Sequence, residues 1–409
     1  MTSEPTALSE SATDIRICHI ARDIASSGGG EVAKQVASEM AHRGATVVIV
    51  TDTPGEVSEG VEVRHTAFGA ALLAWTPRYR LGWHARHALQ ILIFSLFSTV
   101  VALPYRLRGF VIFNHNCESL LGQILVMHNV FSAELSRRAL RPVLRLRAML
   151  NPVRFMRISK EMFLASSHGG RSLVAVSEAA YSDVVHLARD ERRVSVIPNG
   201  VDLAAFHPDY FKAQDSEITR WIDGGLSRTH ILFVGHEFKR KGLDELINAL
   251  KYLPPEFVLT VVGGRSQNRH AYDLMVDELE LTGRVWFVGE KADIRPYLAY
   301  TDVFCLPSTY ETMPLVALEA LSAGIPIVLT SECPAADRIQ SGLNGFVCSH
   351  DPEDIASQVR RAALIPSSKQ DKQAIRGTVV DMGWASSADM YLTLALAVSS
   401  GAQRRQAHP

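Results

Sequence analysis

Short apolar runs alternate along this chain with longer stretches in which apolar residues recur every three or four positions. The runs in the first half are Arg16–Ala21, Thr46–Thr51, Val61–Thr66, Phe110–Asn116, Ile124–Asn129, Leu173–Ser177 and Val194–Pro198. Those in the second half are Ile231–Gly235, Leu259–Gly263, Val285–Gly289, Val303–Pro307, Pro326–Thr330 and Gly345–Cys348. They show little polar alternation, which is the pattern of parallel strands covered on both faces. Amphipathic stretches between them, such as Glu31–Arg43, Lys241–Leu250 and Leu315–Ala323, predict helices. This strand–helix–strand grammar occurs twice. It predicts an α/β chain with two doubly wound, Rossmann-like parallel-sheet domains. Asn199-Gly200 is a turn signal, and periodicity is weak from there to about Arg228. The expected division is a tail at 1–14, a first domain at 15–205, a second at 206–398 whose last helix returns toward the first, and a tail at 399–409. Open α/β sheets bind ligands beyond the carboxyl ends of their strands, so both domains are expected to point loops into one central cleft.

The most apolar stretch, Ala88–Leu103, is shorter than the roughly 20 residues a membrane span needs. Leu89, Leu92, Ile93, Leu96, Phe97 and Val100 share one helical face, which reads first as a buried face. A helix lying on a membrane, or crossing one, stays open. A second unusual stretch runs from Arg137 to Lys160, with eight cations and no Asp or Glu, interleaved with Leu, Val, Met and Phe. That composition suits a helix at an anionic membrane surface, with Arg141, Arg145 and Arg147 as the contacts. An arginine-rich surface helix and an RNA contact are the alternatives. Across all 409 residues, Lys+Arg 42 against Asp+Glu 43 leaves a net charge of −1, so no global field draws nucleic acid, and none is expected as a partner. With 47% hydrophobic and 21% charged residues, a disordered, collagen-like or coiled-coil chain is excluded. The five cysteines form no CxxC pair, so neither a zinc site nor a disulfide framework is indicated. The polar start has no apolar core and does not read as a signal peptide. The expected location is the cytoplasm, with the inner face of the cell membrane as a peripheral site.

Three motifs carry chemistry. Tyr310-Glu311-Thr312-Met313-Pro314-Leu315-Val316-Ala317-Leu318-Glu319 follows a predicted strand. Pro314 suits a first helical turn, which puts Glu311 on the loop and Glu319 about one turn into the helix. The amides of Thr312, Met313 and Leu315 would then form an anion site, with a carboxylate beside it for ribose hydroxyls. In the second motif, strand Ile231–Gly235 is followed by His236-Glu237-Phe238-Lys239-Arg240-Lys241-Gly242. Its cations suit a pyrophosphate. The third, Ser26-Ser27-Gly28-Gly29-Gly30-Glu31, lets backbone approach a ligand. It is neither a dinucleotide fingerprint nor a Walker loop. Each motif alone also fits a solvated loop or a tight turn.

Together, in this order and spacing, the motifs resemble the retaining glycosyltransferases of family four, the glycosyl transferases group one, which have the GT-B fold. Val176-Ser177-Glu178 and Val196-Ile197-Pro198-Asn199-Gly200-Val201-Asp202 also match, and the likeness runs from about Ile15 to Tyr391. The resemblance implies a nucleoside-diphosphate sugar as donor substrate, no cofactor, and a glycan, lipid-linked or small-molecule acceptor. It implies that Glu319 binds ribose hydroxyls, that Glu311 contacts the donor sugar, and that Lys241 meets the diphosphate. Gly29 and Gly30 belong to the donor site. His236 stands where the family often has Arg, and Arg240 beside Lys241 is similar to lipopolysaccharide-core glucosyltransferases. His128, in Val126-Met127-His128-Asn129, matches the family's histidine near the transferred sugar, and His115 is its rival. Asp-x-Asp occurs nowhere, so no metal is expected on the phosphates. Attack on the same face, assisted by the leaving phosphate, is the mechanism proposed for the family. A sugar phosphorylase on the same fold and a non-catalytic sugar-nucleotide binder are the other readings.

Overall fold

The computed structural model describes residues 15–25, 27–66, 80–138, 151–166, 170–209, 228–264 and 266–401. The chain divides into two compact units, 1–199 together with 384–409, and 200–383. The division falls at Asn199/Gly200, a few residues before the expected one. The tails at 1–14 and 402–409, and the three membrane-contact candidates Arg141, Arg145 and Arg147, lie outside the described residues.

Seven parallel strands form the first sheet: β1 (Arg16–Ile20), β2 (Thr46–Thr51), β3 (Val61–His65), β4 (Val111–His115), β5 (Ile124–Met127), β6 (Ser172–Ala175) and β7 (Val194–Val196), in the order β3-β2-β1-β4-β5-β6-β7. Its helices are α1 (Gly28–His42), α2 (Arg80–Leu107), α3 (Phe131–Arg138), α4 (Pro152–Ser166) and α5 (Glu178–Ala188). The central strands are apolar on both faces because helices cover both faces. Ile17, Ile49, Ile112 and Phe113 have almost no exposure, and each such side chain contributes about 1.5–3 kcal/mol by leaving water. Strand β3 departs from the expected burial. It is the edge strand, and Glu62, Arg64 and His65 face solvent. Glu161 of α4 is buried, and its two oxygens accept from the amides of Phe131 and Ser132, tying down the start of α3.

Helix α2 overturns the expected core face. Gln90, Ile91, Phe94, Ser95, Ser98 and Ala102 are the buried side, packed toward β1, β2 and β4. Leu89, Leu92, Leu96, Phe97 and Val100, expected inside, are exposed, as are Leu103 and Leu107. Periodicity marks a helix without saying which face meets the sheet, and here the sheet-facing side mixes apolar residues with Gln90, Ser95 and Ser98. By length and composition His84–Leu107 is able to cross a membrane, and a third of it is buried.

The second unit carries a six-stranded parallel sheet: β8 (Thr229–Val234), β9 (Phe257–Val262), β10 (Val285–Gly289), β11 (Val303–Leu306), β12 (Ile327–Thr330) and β13 (Gly345–Cys348), in the order β10-β9-β8-β11-β12-β13. Helices α6 (Leu243–Ala249), α7 (Ser266–Glu278), α8 (Arg295–Leu298), α9 (Leu315–Ser322), α10 (Pro352–Ala363) and α11 (Lys369–Gly377) surround it. One continuous core, including Phe233, Leu246, Phe304, Leu318 and Ile355, fills this unit. The final helix, α12 (Trp384–Ser399), packs on α1 and so belongs to the first unit.

Candidate active site

In the second unit the expected donor residues stand at the carboxyl ends of β8 and β11. Gly235 directly follows β8, and a Cβ there would lie 2.1 Å from Cδ of Lys241, so the missing side chain is what lets the Lys241 stem cross. Gly242 sits at φ 77 as the cap of α6, and a Cβ there would lie 2.0 Å from the Pro307 carbonyl oxygen. These two glycines fix the basic loop against the end of β11. Lys241 Nζ then lies 2.9 Å from Glu311 Oε1, and an Arg240 guanidinium nitrogen lies 3.1 Å from the same oxygen. The Ser308 hydroxyl donates to it as well, at 3.1 Å. Arg240 also donates to the Tyr310 carbonyl at 2.6 Å and pairs with Glu237. The Glu311 side chain is only 9% exposed. Burial alone would raise its pKa, but the Lys241 and Arg240 charges outweigh burial and hold it below the ordinary carboxylate value. Glu311 is therefore an ionised acceptor with both cations converged on it.

Helix α9 begins at Leu315, one residue later than the motif suggests. Pro314 is its cap, at φ −75 and ψ 115, and not a first-turn residue. Of the three amides expected to hold an anion, only that of Leu315 is helical. Those of Thr312 and Met313 lie in the preceding loop. Glu319 is half-buried one turn into α9.

In the first unit, Gly29 and Gly30 differ in role. Gly30 is buried, and a Cβ on it would meet the Asp23 carbonyl oxygen at 1.8 Å, so it is needed for packing. A Cβ on Gly29 would touch the His128 ring at 3.0 Å, so Gly29 brings the start of α1 against that histidine. His128 follows β5 and is the end of a buried chain of imidazoles. His19 Nδ1 is 3.0 Å from His115 Nε2, and His115 Nδ1 is 2.7 Å from His128 Nε2. His115, the other candidate, is thus the hydrogen-bond partner of His128. Burial pushes His19 and His128 down to about 3, and burial with the neighbouring rings lowers His115 too. All three are neutral at pH 7, so each donates through one nitrogen only. The chain then has two concerted arrangements, with every proton turned toward His128 or every proton turned toward His19. Asn116 and Cys117, directly after β4, hold φ 52 and 56, a left-handed conformation uncommon for such residues. The Asn116 side chain accepts from the Asn129 amide at 3.0 Å and locks the two strand ends together.

A cavity of about 200 Å³ opens beside Gly28 and Gly29. Arg22, Glu118, Arg157 and Lys160 line it. Arg157 and Lys160 belong to the basic segment that the sequence marks. Arg22 carried a signal, since it stands just beyond the carboxyl end of β1. Glu118 carried none.

Two family models match the chain: Glycosyltransferase Family 4 over residues 26–205 and Glycosyl transferases group 1 over residues 225–377. The chain belongs to this glycosyltransferase family, and its fold is GT-B. It is 37% identical over 188 residues to the UDP-Gal:alpha-D-GlcNAc-diphosphoundecaprenol alpha-1,3-galactosyltransferase of Escherichia coli, covering 44% of this chain and 47% of that one. It is 27% identical over 215 residues to the lipopolysaccharide glucosyltransferase WaaG of Escherichia coli strain K12, covering 50% and 53%. The chain thus spans about half the length of these curated relatives. Among solved structures it resembles sucrose-phosphate synthase from Thermosynechococcus elongatus, with a TM-score of 0.73 and 19% identity over 95% of this chain and 100% of that one.

Proposed function

We propose that this protein is a retaining glycosyltransferase, moving a hexose-type sugar from a nucleoside diphosphate to an acceptor hydroxyl in lipid-linked or cell-surface glycan synthesis. The observation that carries this reading is the convergence of Lys241 and Arg240 on Glu311, since it joins the two motifs expected to hold a sugar nucleotide. The second unit takes the donor: Glu319 for the ribose, Lys241 and Arg240 for the diphosphate, Glu311 for the sugar. The first unit takes the acceptor and supplies His128. As the glycosidic bond to phosphate breaks, its electron pair leaves with the diphosphate. The acceptor oxygen bonds to the anomeric carbon on the same face, and its proton passes to the leaving phosphate. Cationic side chains aimed at the leaving group stabilise the charge that develops there, without a metal. The relatives' names, which include a diphosphoundecaprenol acceptor and lipopolysaccharide, support a lipid-linked or lipopolysaccharide acceptor. The exposed apolar side of α2 supports contact with a membrane surface, which on this reading is the cytoplasmic face.

The test is turnover of a panel of nucleoside-diphosphate sugars by the purified protein, with the product anomer read by NMR and a chelator arm. Glu319→Ala is expected to weaken donor binding, whereas Glu311→Ala lowers kcat, because contacts realised only in the transition state act on kcat. Full activity in both variants at low donor, an inverted anomer, or turnover abolished by chelator and restored by metal would each overturn the corresponding part.

A further inference from the structure

The cavity of the first unit is lined for charge. Arg22 lies against Glu118, its amide donating to one carboxylate oxygen at 2.5 Å and its guanidinium 3.8 Å from the other. Lys160 Nζ is 2.6 Å from the Ser95 hydroxyl and 3.0 Å from the Glu118 carbonyl. The Arg157 guanidinium lies 5.0 Å over the Phe131 ring and 3.3 Å from His87 Nε2. All three cations act on the Glu118 carboxylate, which burial pushes up and they pull down. The other acid on the lining, Asp23, is engaged by the Ala25 amide at 3.0 Å and the Thr53 hydroxyl at 3.4 Å. Three cations therefore face two carboxylates. The start of α1 adds to the excess: the amides of Gly28 and Gly29 precede its first intrahelical bond, from Glu31 to Ser27, and a helix start carries partial positive charge.

We infer that this cavity seats a phosphate group carried by the acceptor, held by Arg22, Arg157 and Lys160. The inference rests on the reading that the first unit takes the acceptor. A neutral sugar needs no cationic excess, whereas a phosphate needs both charge and planar donors such as guanidinium. Burial lowers Lys160 to about 8, and an anion beside it relieves that strain. The same helices expose apolar side chains on their other sides, Leu92 and Leu96 on α2 and Phe155 and Phe163 on α4. The phosphate thus belongs either to a lipid or to a soluble sugar phosphate.

Octyl phosphate below its micellar concentration, glucose 1-phosphate, inorganic phosphate and neutral octyl glucoside are titrated calorimetrically into the full chain. UDP is titrated in parallel. Arg22→Gln and Arg157→Gln are each expected to weaken binding of the phosphate probe about tenfold or more, the scale of one hydrogen bond to a charged group, and to leave UDP binding unchanged. Lys241→Ala is expected to do the reverse. Tighter binding of octyl phosphate than of glucose 1-phosphate marks a lipid source, and the opposite order a soluble one. Phosphate binding that both Gln variants retain at full strength, with their unfolding temperatures unchanged, overturns the site. So does octyl glucoside binding as well as octyl phosphate, or loss of phosphate binding only in Lys241→Ala. Absent binding of UDP, and equally of ADP, GDP and dTDP titrated beside it, sinks the sugar-nucleotide reading instead.

Discussion

A methyl group at Gly235 would stand 2.1 Å from Cδ of Lys241, whereas one at Gly242 would strike the rigid backbone carbonyl of Pro307. The first clash is relieved by moving a flexible side chain, the second only by moving the loop. Gly235→Ala is accordingly expected to lower donor affinity by about tenfold or more, through displacement of a charged donor, with Tm changed by only a few degrees. Gly242→Ala, which also forces a left-handed φ, is expected to cost well over 1 kcal/mol of stability. Calorimetry with a nucleoside diphosphate and thermal unfolding separate the two. Equal donor affinity in Gly235→Ala and wild type would mean that Lys241 does not meet the diphosphate. At this scale the donor motifs were legible because each is contiguous in sequence. The acceptor-side cavity was not, since Arg22, Glu118 and Lys160 meet across separations of 96 and 42 residues.

Among elements, all thirteen strand runs appear in the two sheets, several trimmed by one or two residues at an end. Strands buried on both faces need apolar residues at every position, and sequence displays that directly. Helix α2 was misread for the complementary reason. Its sheet-facing side includes Gln90, Ser95 and Ser98, which the core accommodates through specific bonds, such as Lys160 to Ser95. Its solvent side is nearly all leucine, phenylalanine and valine. Exposed apolar area of this kind marks an interaction surface. Changing Leu92, Leu96 and Val100 together to Ser is expected to leave Tm nearly unchanged and to reduce pelleting with anionic vesicles severalfold. Unaltered pelleting, or none by the wild type, would separate α2 from any membrane role.

For the whole molecule, the histidine chain ties stability to pH. Unfolded imidazoles take up a proton near 6.5, whereas His19 and His128 do so near 3 in the folded chain and His115 is lowered too. Between these values the unfolded chain binds more protons, so stability present above pH 6.5 is lost as pH falls. Glu161, raised to about 7 by burial, acts in the opposite sense, since the folded chain binds the extra proton. Burial raises Glu118 and Asp52 as well, in the same sense as Glu161, and the three rings outweigh them. His19 and His128 each remove roughly 1.5–2 kcal/mol between pH 6.5 and 5, and His115 acts in the same sense, in a window in which ordinary carboxylates hardly titrate. Tm is expected to drop by about 5 °C or more across that window, and a flat profile would contradict neutral burial of the chain.

The first unit is made from two segments of the chain, one on either side of the second unit. Tyr391 of α12 is fully buried with its ring 5.9 Å from Phe113, Arg43 pairs with Asp389 at 2.6 Å, and the Ser387 hydroxyl donates to the Pro198 carbonyl at 2.8 Å. On the ribosome, strands β1 to β7 emerge before the second unit, yet the helix that closes over them follows it. All of residues 200–383 must be synthesised in between. The second unit, contiguous in sequence, is therefore able to complete its core earlier, and the order of folding runs against the order of synthesis. While it waits, the nascent first unit carries an uncovered apolar seam along α1 and β4, the kind of surface that invites aggregation or chaperone capture. A chain stopped after Gly383 keeps that seam permanently and is expected to accumulate in the insoluble fraction. Supplying Trp384–Ser399 as a separate peptide during refolding should recover part of it in soluble form.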